Sequence, residues 1–98
     1  MIIVRNVFRL KFGKAKEAKT QIKEAVEFNK SFGVKHVRAM MDLTGPSYTL
    51  VFETGHDSLA SFEADLGRIF ADKKWAEMYE KLKPLCESGY REIFTVVD

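Results

Sequence analysis

Residues 75–97 read WAEMYEKLKPLCESGYREIFTVV, and the change of period within this stretch decides the fold. Trp75, Met78, Tyr79 and Leu82 recur at helical spacing, and Glu77 and Lys81 form an i, i+4 pair on the outer side. Pro84 lacks an amide donor and clashes with the preceding turn, so the helix stops near Lys83-Pro84-Leu85. Gly89 follows, and Tyr90 to Val97 alternates with a period of two, as a strand does.

Upstream, the other end of the chain supplies the partner for that last strand. Ile2, Val4, Asn6, Phe8, Leu10 and Phe12 alternate with Ile3, Arg5, Val7, Arg9 and Lys11, which makes one strand with one nearly apolar face. Gly13 ends it. Ala15, Ala18, Ile22, Ala25, Val26 and Phe32 then mark an amphipathic helix from about Lys14 to Phe32, closed by a left-handed cap at Gly33. Val34 to Leu43 and Tyr48 to Thr54 read as a hairpin around Thr44-Gly45-Pro46-Ser47. Gly55-His56-Asp57-Ser58 is expected to break the second of these strands. Leu59, Phe62, Leu66, Ile69 and Phe70 follow as a helical stripe capped by Asp57 or Ser58, and Asp72 caps the helix that contains Trp75.

The order βαββαβ, with right-handed crossovers, predicts a single α+β ferredoxin-like domain over residues 1–98: a four-stranded antiparallel sheet with its helices on one face. Its other face carries Ile3, Val7 and Val51 among Arg5, Arg9, Lys11, Thr49 and Glu53. That mixture is too apolar to be merely wetted and too charged for a dry core. A homodimer that joins the two bare faces resolves it; a monomer with a solvated sheet is the alternative.

Composition narrows the function. The chain is 46% hydrophobic and 31% charged with a net charge of +2, a globular balance with no electrostatic signature of a nucleic-acid or membrane partner. A lone Cys86 fits a reducing compartment, and the first apolar run meets Arg5 too soon for a signal peptide or a span, so a cytoplasmic location is expected. His36 and His56 stand apart from each other and from Cys86, without metal-ligand spacing.

Several of these segments together resemble the dimeric α+β barrel superfamily. They are Val4-Arg5-Asn6-Val7 running through Lys11-Phe12-Gly13-Lys14 into a helix, Tyr48-Thr49-Leu50-Val51-Phe52-Glu53, and the tail from Trp75 to Lys83-Pro84-Leu85. Within it the chain is similar to NIPSNAP-like and antibiotic-biosynthesis-monooxygenase-like proteins. The resemblance implies a homodimer and, among many possible roles, a small oxygenase, isomerase or ligand binder; fold does not choose among them. It also implies a role for Asn6, because cofactor-free and haem-degrading monooxygenases of the superfamily carry an asparagine at this place on strand one, seven residues before the glycine. Their tryptophan and axial histidine have Phe62 and Tyr79 as counterparts here, so the haem ligand is missing and no cofactor is expected.

Asn6 is thus the catalytic candidate, an amide among Val4, Phe8 and Leu10 that must find hydrogen-bond partners. The alternative is an amide satisfied by backbone or water. Phe8, Tyr48, Phe52, Phe62, Trp75 and Tyr79 are candidates for an aromatic ligand pocket, although core packing would equally account for such side chains. Arg5 and Arg9 flank Val7 and could grip a carboxylate or phosphate, or else pair with Glu53. An RNA-binding domain of the same βαββαβ order is disfavoured, because Ile3, Thr49 and Leu50 occupy positions that would need small or stacking residues. The expected partners are therefore a second copy and a small organic ligand. A non-catalytic binding or assembly module of the same fold remains the alternative.

Overall fold

Strand β1 (Ile2–Leu10) lies inside the sheet, and its interior position fixes everything around it. The computed structural model describes residues 1–98, with helix α1 (Ala15–Ser31), strands β2 (His36–Met41) and β3 (Thr49–His56), helices α2 (Leu59–Phe70) and α3 (Lys73–Leu82), a 3-10 turn at Lys83–Leu85 and strand β4 (Cys86–Thr95). The strand order is β2-β3-β1-β4, with all neighbours antiparallel. This is the ferredoxin-like α+β arrangement, and no helix is long and apolar enough to cross a membrane.

Local chemistry sets the boundaries. Gly33 adopts φ 79° directly after α1, and its amide reaches the Lys30 carbonyl at 3.0 Å, which closes the helix in a left-handed turn that only glycine takes without cost. At α2 the cap is Ser58, whose hydroxyl accepts from the Ser61 amide at 3.1 Å while the Ser58 amide donates to the Ser61 hydroxyl at 3.0 Å. Asp72 accepts from the Lys74 amide at 2.8 Å and starts α3, which gives way to the 3-10 turn at Lys83-Pro84-Leu85.

Two strand ends differ from the sequence reading. β3 does not break at Gly55 but runs on through His56, with Gly55 paired to both Ile3 and His36. A Cβ there would lie 2.7 Å from Met1 Cε and 2.8 Å from His36 Cβ, so this glycine answers to close packing in mid-strand and not to a turn. β4 likewise begins at Cys86, ahead of Gly89, which sits opposite Phe8 with the phenyl ring laid across it.

The core forms between sheet and helices in two parts. Leu10, Leu50, Ala18, Ile22 and Leu85 pack at one end, and Phe28, Val34, Ile69 and Met78 at the other. Leu10, Leu50 and Val4 are almost wholly removed from water, each contributing about 1.5–3 kcal/mol of burial. Leu59, read from periodicity as part of the α2 stripe, stands largely in solvent instead, whereas Phe70 is half exposed with its ring against Trp75.

Candidate functional site

Register across the sheet builds the site. On the helix-facing side, Ala39, Phe52, Asn6 and Arg91 form one transverse row, flanked by the rows of Met41, Leu50, Phe8 and Gly89 and of Val37, Thr54, Val4 and Ile93. Asn6 therefore faces Arg91 across the β1–β4 pair. The Arg91 Nε–H donates to Asn6 Oδ1 at 2.9 Å, and the guanidinium lies 5.5 Å from the Phe62 ring centroid.

Above this pair the two core clusters leave a space unfilled. A cavity of about 290 Å³ lies between β1, α1 and α3, walled mainly by Phe8, Ile22, Phe52, Leu66, Ile69, Trp75, Met78 and Tyr79, with Asn6, Gln21, Asn29 and Arg91 as its polar groups. It continues along β4 into an open cleft of about 470 Å³ that shares Asn6, Phe8, Tyr79, Leu82 and Arg91 and adds Lys83, Glu87 and Tyr90. Trp75 stacks on Tyr79 with ring centroids 5.2 Å apart and planes 10° apart, and the Phe70 ring packs against Trp75 at 4.6 Å, tilted by 52°. A half-exposed aromatic stack thus forms one wall of the cavity.

The polar groups of this cavity differ in what they have left to offer. Asn29 is spent, its side-chain amide donating to the Ala25 carbonyl at 2.8 Å. Gln21 is not: its Oε1 is buried without a hydrogen-bond partner. The amide hydrogens of Asn6 and the two Nη groups of Arg91 also have no acceptor in the chain.

Five sequence candidates, Asn6, Phe8, Phe52, Trp75 and Tyr79, come together on this cavity. The others lie elsewhere. Phe62 is buried beneath Arg91 and beside the His56 ring, 5.0 Å away, behind the cavity lining. Tyr48 sits at the far end of the sheet with φ 61°, its ring edge-on to Phe12 and its hydroxyl accepting from the Gly13 amide at 3.0 Å. Arg5 and Arg9 point from the opposite face: Arg5 lies 3.7 Å from Glu53 and Arg9 donates to the Ser47 carbonyl at 2.6 Å. Arg91 and Gln21 escaped the sequence reading. Arg91 emerges only from the cross-strand register of the folded sheet, where the residue opposite an inward amide also points inward.

Both histidines, isolated in sequence, meet carboxylates in space. His56 Nδ1–H donates to Asp65 Oδ2 at 2.7 Å, since a carboxylate only accepts; Nε2 lies 2.9 Å from Thr54 Oγ1, and Arg68 donates to Asp65 Oδ1 at 2.6 Å. On the bare face, Glu53 is buried although it projects away from the helices, because His36 at 2.8 Å, Arg38 at 3.0 Å and Arg5 close around it. Burial pushes both carboxyls up. The hydrogen bonds and charges of His36 and Arg38 on Glu53, and of Arg68 and His56 on Asp65, outweigh burial and hold each below its ordinary value. For Cys86, burial pushes the thiol up and leaves it a poor nucleophile. No three His, Cys, Asp or Glu side chains gather as they would to hold a metal ion.

Lowered carboxyl values fix the sign of an acid response. The unfolded chain takes up protons on Glu53 and Asp65 at a higher pH than the folded chain does. Their stabilisation is therefore complete above the ordinary values of 4.5 and 3.8 and is lost as pH falls through the lower folded values. Thermal melts on acidification should fall steeply below about pH 4.5. The double variant Glu53→Gln, Asp65→Asn should start lower and fall less; an unchanged slope would assign the acid response to other carboxylates.

The family's sequence profile aligns with residues 5–98, nearly the whole chain. The chain belongs to the NIPSNAP family. Solved structures with the same fold include a protein from Agrobacterium tumefaciens, 21% identical, with a TM-score of 0.90 over 99% of this chain and 94% of that one. An uncharacterized NIPSNAP domain protein from Burkholderia xenovorans is 17% identical, with a TM-score of 0.88 over 99% and 95%. A putative antibiotic biosynthesis monooxygenase from Nitrosomonas europaea is 10% identical, with a TM-score of 0.81 over the full length of both chains. At these identities the similarity carries the fold of this NIPSNAP chain and nothing finer. Among curated proteins none matches the sequence.

Proposed function

We propose that this NIPSNAP protein is a homodimeric small-molecule-binding protein whose ligand occupies the cavity between β1, α1 and α3. The observation that carries the reading is the cavity itself: an apolar, aromatic-walled space with Asn6 and Arg91 converging at one side and hydrogen-bonding capacity left over. Voids larger than a water molecule are few in a close-packed domain, which supports reading this one as a binding space.

Dimerisation is supported by the bare sheet face. There Met40, Val51, Val7 and Tyr90 form a transverse apolar row beside the alternating charge row Arg38, Glu53, Arg5 and Glu92. A two-fold partner would cover the first and meet the second with complementary charges.

Catalysis as a cofactor-free oxygenase or isomerase is the finer reading. Asn6 and Arg91 supply N–H donors of the kind that stabilise an enolate or phenolate oxygen, an intermediate common to both reactions. The inner cavity, however, holds no carboxylate or imidazole to act as a base, which favours binding without turnover.

A thermal-shift screen of quinones, phenols and organic acids separates these readings. At least one class should raise the melting temperature in a concentration-dependent manner. Oxygen uptake or product formation with that compound marks an enzyme. A screen without any stabilising compound would leave a non-catalytic assembly module in its place.

A further inference from the structure

Arg91 is the only charged side chain on the inner cavity, and it enters no ion pair. Its Nε–H is committed to Asn6, which orients the guanidinium plane, while Phe62 lies 5.5 Å from its carbon. Both Nη groups remain free, a planar fork whose geometry matches the two oxygens of a carboxylate. No acidic residue on the inner wall competes for it; Glu87 stands only on the outer cleft. The same cavity is lined by Trp75 stacked with Tyr79, a surface for a flat ring. On the α1 side, Gln21 Oε1 is a buried acceptor still without a donor, a place where an additional hydroxyl or amine on the ligand's ring would find a partner.

From this arrangement, and resting on the proposal that the cavity binds a small molecule, we propose that the ligand class is aromatic or unsaturated carboxylic acids. The carboxylate is held by the Arg91 fork, and the ring lies against Trp75 and Tyr79. Asn6 is the positioning residue that sets the fork, and its free amide hydrogens lie within the same polar corner.

Isothermal titration with benzoate and 1-naphthoate, each beside its neutral amide, tests the proposal. The wild type should bind the acid of the better-fitting ring about tenfold or more tightly than its amide. Arg91→Met should bind acid and amide alike, at about the affinity of the wild type for the amide. Arg91→Lys, which keeps the charge without the fork, should recover only part of the difference. Arg91 is exposed on an edge strand, so these variants should fold, and a melting curve alongside each titration checks that they have. Equal affinity of the wild type for acid and amide would overturn the carboxylate assignment and leave the binding cavity standing. No binding of either ring series would overturn the carboxylate assignment, and together with a thermal-shift screen that yields no stabilising compound it would overturn the cavity reading as well.

Discussion

Asn6→Leu should leave the fold intact and remove most of the ligand affinity. The substitution keeps the branching and adds bulk at a half-buried position that opens on the cavity, where there is room for it, and the only side-chain partner it strands is the Nε–H of Arg91, which water can reach. No buried donor or acceptor is orphaned. The melting temperature is therefore expected within ~4 °C of wild type, equivalent to about 1 kcal/mol or less for a domain of this size. Binding should suffer twice, because the amide donors are gone and the Arg91 fork loses the contact that orients it. A hydrogen bond to a charged group contributes ~1.5–3 kcal/mol, which is about 10- to 150-fold in affinity. Melting curves and titration of the best thermal-shift compound on both proteins check this. A strongly destabilised variant that retains affinity would make Asn6 a structural amide and remove it from the site.

That asymmetry between stability and binding could not be argued from the sequence. Periodicity placed Asn6 on the inward face of β1 because a strand has only two faces, and one was almost wholly apolar. What it could not supply was the partner. Arg91 reaches Asn6 through a register that includes a bulge between Arg9 and Leu10 and a strand that starts at Cys86, ahead of the expected beginning at Tyr90. Tyr48 was drawn towards the pocket by its neighbours in sequence, yet its left-handed backbone turns it to Phe12 and Gly13 at the other end of the sheet. The histidine–carboxylate pairs were hidden for a similar reason. Glu53 meets His36 across the β2–β3 ladder, and Asp65 meets His56 across the α2 cap, so neither pair has a spacing that marks it in a linear reading.

Charge placed at the centre of the bare sheet face gives the other large effect. If that face joins two copies, wild-type protein at micromolar concentration should scatter light as twice the 11.3 kDa chain, and Val7→Glu should scatter as one. Val7 sits mid-sheet between Val51 and Tyr90, and Val51 is already buried within one chain, so a partner would close over the new carboxylate completely. The cations nearest in sequence are already engaged in part, Arg5 at 3.7 Å from Glu53 with its Nε–H unbonded and Arg9 through one Nη on the Ser47 carbonyl, so pairing the new carboxylate would pull one of them from its present contact. An unpaired carboxylate taken out of water costs several kcal/mol, and two-fold symmetry imposes it twice, which exceeds what weakened packing alone would cost. The single chain should remain folded, because Val7 faces away from the core that Leu10, Leu50 and Ile22 form beneath the helices. Far-UV circular dichroism on the monomeric variant checks that the loss is of association and not of fold. A wild-type protein that scatters as 11.3 kDa, or a Val7→Glu protein that still dimerises, would move the interface away from this face and leave its apolar row to another partner.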